Sequence, residues 1–351
     1  MISVFAQDWL KGLFGDPELA ELWSAEAQLA HFIAFEAELA IATEAAGGLP
    51  EGQGKAAAKA IRAARISPDD LVAGTAQDGV PVPALVRILR QQAEDASAGV
   101  HPGATSQDVM DTALSITLQA VTPVLVSRLQ DVVSGLDRLG DTYGTNRLMA
   151  RTRMQAAMPF TVADRIEAWR APLAAQTMAL KQIGADIGRL QLGGAVGNRQ
   201  AMGEHGPAIA ANMAEALGLH DCQPWHSDRT MLADYANRLA VLSGALGKIG
   251  QDIVLMAQQG IEEIGLAGGG GSSAMPHKAN PVLAELLVTL ARFNATQVAG
   301  IHHALVHEQE RSGAAWMLEW MILPQMTMAT GRALTAARSL CGQITQIGAT
   351  D

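Results

Sequence analysis

The chain has 351 residues, 49% of them hydrophobic and 17% charged, enough apolar material for a large buried core and too much for a disordered chain. Aromatics make up 4% while Ala, Leu, Met and Gly abound, so helices packed through small contact residues are predicted in place of a sheet rich in β-branched and ring side chains. With 25 Lys and Arg against 35 Asp and Glu, the net charge of -10 argues against nucleic acid as a partner, but a local cluster of cations can still serve an anionic small molecule.

The N-terminus, MISVFAQDWLKGLFGDPE, has acids and Trp9 early and no basic start before an apolar run, so it does not read as a signal peptide. From Leu19 to Ala46, Leu22, Leu29, Phe32, Ile33 and Leu39 recur at helical spacing until GGLP, Gly47 to Pro50, stops the pattern. Ala56 to Ala64 offers a second helix, and Pro81 and Pro83 precede a third from Ala84 to about Ala98. Residues 1–100 therefore read as a small helical domain.

Beyond Gly103, the stripe Val109, Ala113, Ile116, Leu125, Leu129, Val132, Leu136 and Leu139 predicts one long helix kinked at Pro123. The longest uncharged stretch, Thr112 to Ser127, is too short and too polar to span a bilayer, so no membrane is expected as a partner. Further helical runs cover about Thr161 to Leu192, Gly206 to Leu217, Asp228 to Ile264, Pro281 to Glu308 and Gly313 to Ile344. Residues 101–351 thus read as a central bundle of helices about 45 Å long, with no strand series and no repeat, and the fold class is all-α. Cys222 and Cys341 are far apart and form no CxxC, which fits a reducing cytoplasm and suggests neither disulfides nor a thiolate metal site.

Five segments carry chemistry. AGGGGSSAMPHKANP, Ala267 to Pro281, cannot continue a helix, and its backbone N–H groups are free to face a ligand beside the N-terminus of the helix that resumes at Pro281. HPGATSQDVMDTALSI, His101 to Ile116, opens the long helix with Thr105 or Ser106 as cap and Asp108 in the first turn. ARTRMQAAMPFTVADR, Ala150 to Arg165, QPWHSDRTMLADYA, Gln223 to Ala236, and HEQERSGAAWMLEW, His307 to Trp320, add Arg153, Arg229 and Arg311. His303 and His307 stand four apart on one presumed helix, but no third ligand or HExxH pattern accompanies them, and no metal is expected.

These segments resemble the fumarase/aspartase superfamily, which includes argininosuccinate lyase, adenylosuccinate lyase and the carboxymuconate cycloisomerases. The loop matches its GSSxMPxKxNP signature, His101 to Ile116 its TSxD region, Ala150 to Arg165 its RTHxQxAxP region, and the last two segments the PWHxxR and HExERSxGAWxxEW stretches of the cycloisomerase branch. The resemblance implies Ser272 as the proton-transfer group, with Lys278 and Asn280 binding the carboxylate whose α-carbon exchanges the proton. It further implies substrate contacts from His101, Thr105, Ser106, Thr152, Arg153, Gln155, Arg229 and Arg311.

Arg153 stands where lyases that eliminate nitrogen carry a His. A guanidinium cannot shuttle a proton but binds a carboxylate in a fork, which favours a reaction whose migrating group is an anion. The cycloisomerases also lack this His, commonly having Trp there, so Arg153 departs from them too.

The activity implied is therefore that of an isomerase, an intramolecular lyase that closes 3-carboxy-cis,cis-muconate to carboxymuconolactone within protocatechuate degradation. It would work with neither metal nor cofactor, because the substrate holds both reacting partners. The alternatives are a sulfonate-bearing muconate as substrate, an argininosuccinate- or adenylosuccinate-type lyase, and a non-catalytic helical scaffold. The family also implies a homotetramer with shared active sites. Family members continue into a small C-terminal helical domain, whereas this sequence ends about 40 residues after Arg311, so that domain is expected to be absent.

Overall fold

The apolar period read from Leu19 to Ala46 is divided between two helices, each closed by its own cap. After a first turn α1 (Lys11–Phe14), α2 (Pro17–Leu22) starts where the Asp16 carboxylate accepts from the Leu19 N–H at 3.2 Å, and α3 (Ala25–Ala45) where Ser24 Oγ accepts from the Ala27 N–H at 3.1 Å. In this computed structural model, which describes residues 3–271, 274–275 and 278–350, α4 (Gln53–Ala63), α5 (Asp69–Asp78) and α6 (Val82–Ala93) follow. The helix predicted to Ala98 stops at Ala93, because Glu94 takes a φ of 47° and the chain tightens into a 3-10 turn over Glu94–Gly99.

The long helix α7 (Ser106–Tyr143) has 38 residues, and Pro123 lies inside it without dividing it. Leu118, Val121, Leu125 and Leu129 are fully buried on either side of the proline, so packing compensates for the one backbone hydrogen bond it removes. α8 (Val162–Asp186), α9 (Gly206–Leu217), α10 (Thr230–Met256), α11 (Val282–His303) and α12 (Gly313–Gln343) complete the helices. α7, α8, α10, α11 and α12 pack side by side around the larger apolar core. A second buried cluster joins α3, α4 and α6 to Val109 and Ala113 on α7, to Leu190 and Leu192, and to α9.

Four short strands were not foreseen from the sequence. β1 (Arg147–Thr152) and β2 (Gln155–Thr161) form an antiparallel hairpin, and β3 (Ile264–Leu266) pairs antiparallel with β4 (Ile344–Ile347). The hairpin turns through Arg153 and Met154, both with positive φ, at 49° and 67°. This two-residue turn is usually made by Asn-Gly or Asp-Gly, so its ordinary signal is missing from the sequence. Thr161 then starts α8 by a reciprocal cap with Asp164, which ends the strand, and the helix predicted to run from 161 to 192 stops at Asp186.

At 1.5 Å per residue, α7 separates its two ends by about 57 Å. At its N-terminal end, Asp111 meets Arg229 just before α10 and Trp316 at the start of α12. At its C-terminal end, Tyr143 donates to the Thr345 carbonyl of β4, Arg147 bridges to Ala349, and Ala267 opens the glycine-rich loop by donating to the Gln343 carbonyl. By length and composition α7 and α10 could each cross a membrane, but more than half of the apolar window in each is buried inside the fold, as expected of core helices.

Candidate functional site

The N-terminal end of α7 is organised by one buried carboxylate. Asp108 is fully buried, and its two oxygens accept four hydrogen bonds: from the N–H groups of Thr105 (2.9 Å), Gly193 (2.7 Å) and Gly194 (2.8 Å), and from His226 Nε2 (2.9 Å). This draws the 193–195 loop and the segment before α10 onto the helix start. Only glycine serves at 194, where φ is 71° and a Cβ would lie 2.7 Å from the Gly103 carbonyl oxygen. Thr105 is the N-cap and Ser106 the first residue of the helix, both half-buried, so the positive end of the helix dipole lies beside two hydroxyls.

Arg311 reaches this end from the segment before α12. Its Nε donates to Gln107 Oε1 at 3.0 Å and its Nη2 to the Ala195 carbonyl at 3.1 Å, while Gln107 Nε2 is held by Asp111 and the His226 carbonyl. The Arg311 guanidinium is thus oriented by neutral groups and pairs with no carboxylate among the described residues. His101 lies four residues before the cap, with a φ of 60° and its Nδ1 at 2.6 Å from the buried Glu36 carboxylate.

Arg229 does not occupy the place foreseen for it. Its guanidinium is buried, and all five of its N–H donors are taken: two pair with Asp111 at 2.6 and 3.0 Å, two with Glu319 at 2.9 and 2.6 Å, and the fifth turns to the Trp225 carbonyl at 3.5 Å. The charge also lies over the Trp225 ring, 4.7 Å from its centroid. Burial alone would lower its pKa, but the two carboxylates raise it above the ordinary guanidinium value. The side chain therefore clamps α7 and α12 to the start of α10 and has no donor left for a substrate. A sequence does not distinguish such an Arg from a substrate-facing one, since both occur near acids.

The expected pairing of His303 and His307 on one helix face also changes. α11 ends at His303, which is exposed, whereas the buried His307 imidazole lies 3.9 Å from Glu319 beyond the helix. Among the described residues no cluster of three or more His, Cys, Asp or Glu is arranged to hold a metal.

The remaining foreseen residues gather at the other end of α7. Thr152 and Gln155 face each other across the hairpin, with Arg153 at its exposed tip, and the hairpin is tied down by Arg151 pairing with both Glu263 oxygens at 2.7 Å. In the glycine-rich loop, Gly270 and Asn280 exchange two backbone hydrogen bonds of 2.9 Å, and the Lys278 N–H donates to the Met275 carbonyl. This pins both stems of the loop at the start of α11 and leaves the Lys278 side chain exposed. Ser272 lies outside the described residues.

The foreseen residues therefore fall into two groups separated by the length of α7: the helix start with Arg311 and His101, and a hairpin and loop bearing Arg153, Lys278 and Asn280. Asp108, Gln107, Glu36 and the 193–194 glycines organise the group at the helix start and are not among the candidate site residues read from the sequence. Asp108 was noted there only as a first-turn acid, and the glycine run at 193, 194 and 197 was the signal available for the loop.

A model of the Lyase family matches residues 17–300. The 3-carboxy-cis,cis-muconate cycloisomerase of Bradyrhizobium diazoefficiens is 35% identical over 316 residues, 88% of this chain and 70% of that protein. The same enzyme of Pseudomonas aeruginosa is 34% identical over 348 residues, 97% of this chain and 76% of that protein. The crystal structure of the 3-carboxy-cis,cis-muconate lactonizing enzyme from Pseudomonas putida matches with a TM-score of 0.89 at 30% identity, covering 95% of this chain and 76% of that one.

Proposed function

The chain belongs to the Lyase family, within the fumarase/aspartase superfamily, and on that premise we propose that it is an enzyme closing 3-carboxy-cis,cis-muconate to carboxymuconolactone. One substrate carboxylate adds to an alkene carbon, forming the ring C–O bond, while the neighbouring carbon α to another carboxylate takes a proton. Electron density accumulates on that second carboxylate as an enediolate, so the site needs a proton donor together with cations and amide donors aimed at it. Ser272 is the group assigned to proton transfer, with Lys278 and Asn280 on the carboxylate that gains charge. Thr105, Ser106, His101 and Arg311 hold a second carboxylate, and Thr152, Arg153 and Gln155 a third.

The observation that carries this reading is that Arg311 and Arg153, at the two ends of α7, pair with no carboxylate among the described residues. Two such cations fit a polyanionic substrate, and Arg153 in place of an imidazole fits a reaction that need not protonate an amine. Since about 57 Å of helix separates the two groups of residues, a complete site takes its two halves, one such group each, from different copies of the chain. Following what the family resemblance implies, we assign these copies to a homotetramer, with residues 1–100 as a helical unit beside the bundle of 101–351, working in the cytoplasm.

The test is turnover by purified protein of 3-carboxy-cis,cis-muconate beside its sulfo-substituted analogue, followed by ultraviolet absorbance and product identification. Lactone formation is expected from the carboxy substrate and its loss in Ser272→Ala, with oligomeric state retained. Fumarate release from a succinyl adduct without lactonisation would replace this reading with that of an intermolecular lyase, and preference for the sulfonate would change the substrate.

A further inference from the structure

Glu36 is one of few carboxylates among the described residues with no exposure to solvent, and no Lys or Arg among them pairs with it. Its Oε1 lies 2.6 Å from His101 Nδ1, and its Oε2 is buried with no hydrogen-bond partner. Holding a carboxylate this way costs several kcal/mol unless the neighbouring imidazole carries charge or a strong hydrogen bond. His101 in turn sits in left-handed backbone, a conformation that costs a non-glycine residue on the order of 1 kcal/mol. Both costs fall on one contact, which turns Nδ1 of the ring into the protein toward Glu36.

We propose that Glu36 is a positioning residue that acts through His101, fixing the ring with Nδ1–H donating inward so that Nε2–H is presented to a substrate carboxylate. This rests on the reading above that His101 faces the substrate. The charged groups around the ring are Glu36 on α3, Asp108 on α7 and Arg90 on α6. Burial lowers the imidazole pKa and Arg90 adds to that, but Glu36 and Asp108 outweigh both and leave it above the ordinary histidine value. The protonated ring, a donor at both nitrogens, therefore persists to higher pH than a free histidine, and an anion at Nε2 meets a cation.

The experiment compares Glu36→Gln, His101→Gln and the double variant by kcat/KM against pH, after each has been shown to assemble like the parent. In Glu36→Gln the amide oxygen still accepts from Nδ1–H, so the ring keeps its orientation but loses the buried charge. The alkaline limb of kcat/KM is expected to move to lower pH by about one unit, with KM rising about tenfold and kcat changing less. His101→Gln is expected to lose that limb, and adding Glu36→Gln to it to cost nothing further.

Near-normal turnover and an unmoved limb in His101→Gln would sink the placement of His101 against the substrate. A damaged His101→Gln beside an unmoved limb in Glu36→Gln would overturn the role of Glu36 alone, as would an additive loss in the double variant. If Glu36→Gln does not fold, Glu36→Asp serves, since withdrawing the carboxylate by one bond should lower kcat/KM several-fold. Parental activity in that variant overturns the proposal.

Discussion

Asp108 Oδ1 accepts from His226 Nε2 at 2.9 Å in a place that water does not reach, joining the first turn of α7 to the segment that leads into α10. The same carboxylate holds the N–H groups of Thr105, Gly193 and Gly194. Asp108→Ala leaves these donors buried without an acceptor and is expected to cost about 3–5 kcal/mol. Urea unfolding of the variant checks this, and a loss below 1 kcal/mol, roughly that of an ordinary hydrogen bond, would count against the organising role.

The clamp formed by Arg229, Asp111 and Glu319 makes a pH-dependent contribution to stability. Burial raises the Glu319 pKa, but His307 and Arg229 lower it further, to below the ordinary glutamate value. A carboxylate with a depressed folded pKa stabilises fully above its unfolded value of about 4.3, and the contribution fades as pH falls through the folded one. Thermal midpoints are therefore expected to drop below about pH 4, and to drop less steeply in Glu319→Gln. Arg229→Met, which leaves two buried acids uncompensated, is expected to destabilise by about 3–5 kcal/mol at neutral pH. An Arg229→Met enzyme with parental stability and only a raised KM would restore the substrate-binding role first read from the sequence.

Arg311 is expected to behave in the opposite way. Its protein partners are a side-chain amide and a carbonyl, so Arg311→Leu should change stability by about 1 kcal/mol or less. Losing a charged contact to a substrate carboxylate should raise KM roughly 10- to 100-fold. Steady-state kinetics beside a denaturation curve separates the two effects. An unchanged KM would remove Arg311 from the site.

If the half-sites of different copies combine, two damaged chains should repair one another. Arg153→Leu and Arg311→Leu alter opposite ends of α7, and Arg153 already occupies left-handed backbone, so the replacement adds no new strain of the main chain. Mixed assemblies refolded together from the two variants are expected to regain part of the parental activity, because some sites then pair an unaltered hairpin with an unaltered helix start. Sites confined to one chain would give no recovery above the average of the separate variants.

The sequence by itself determined the helical class, the order of the long helices and the segments that hold polar chemistry, because helical period, caps and glycine-rich breaks are local properties. The α9 helix from Gly206 to Leu217 was legible to the residue, since Gly and Pro open it and Gly218 closes it. The hairpin from Arg147 to Thr161 was not, because its turn uses Arg and Met where glycine would have announced it, and its strands are stabilised by pairing rather than by propensity.

Tertiary structure alone decided which cations are free. Arg229 and Arg311 look alike in sequence, each within a few residues of an acid, yet one has four of its five donors taken by buried carboxylates 90 and 118 residues away and the other pairs with no carboxylate among the described residues. Whether a guanidinium clamps the fold or meets a ligand depends on distant carboxylates that only chain packing brings near. The length of α7 likewise sets the foreseen residues in two groups at opposite ends of one helix, a separation that no motif expresses.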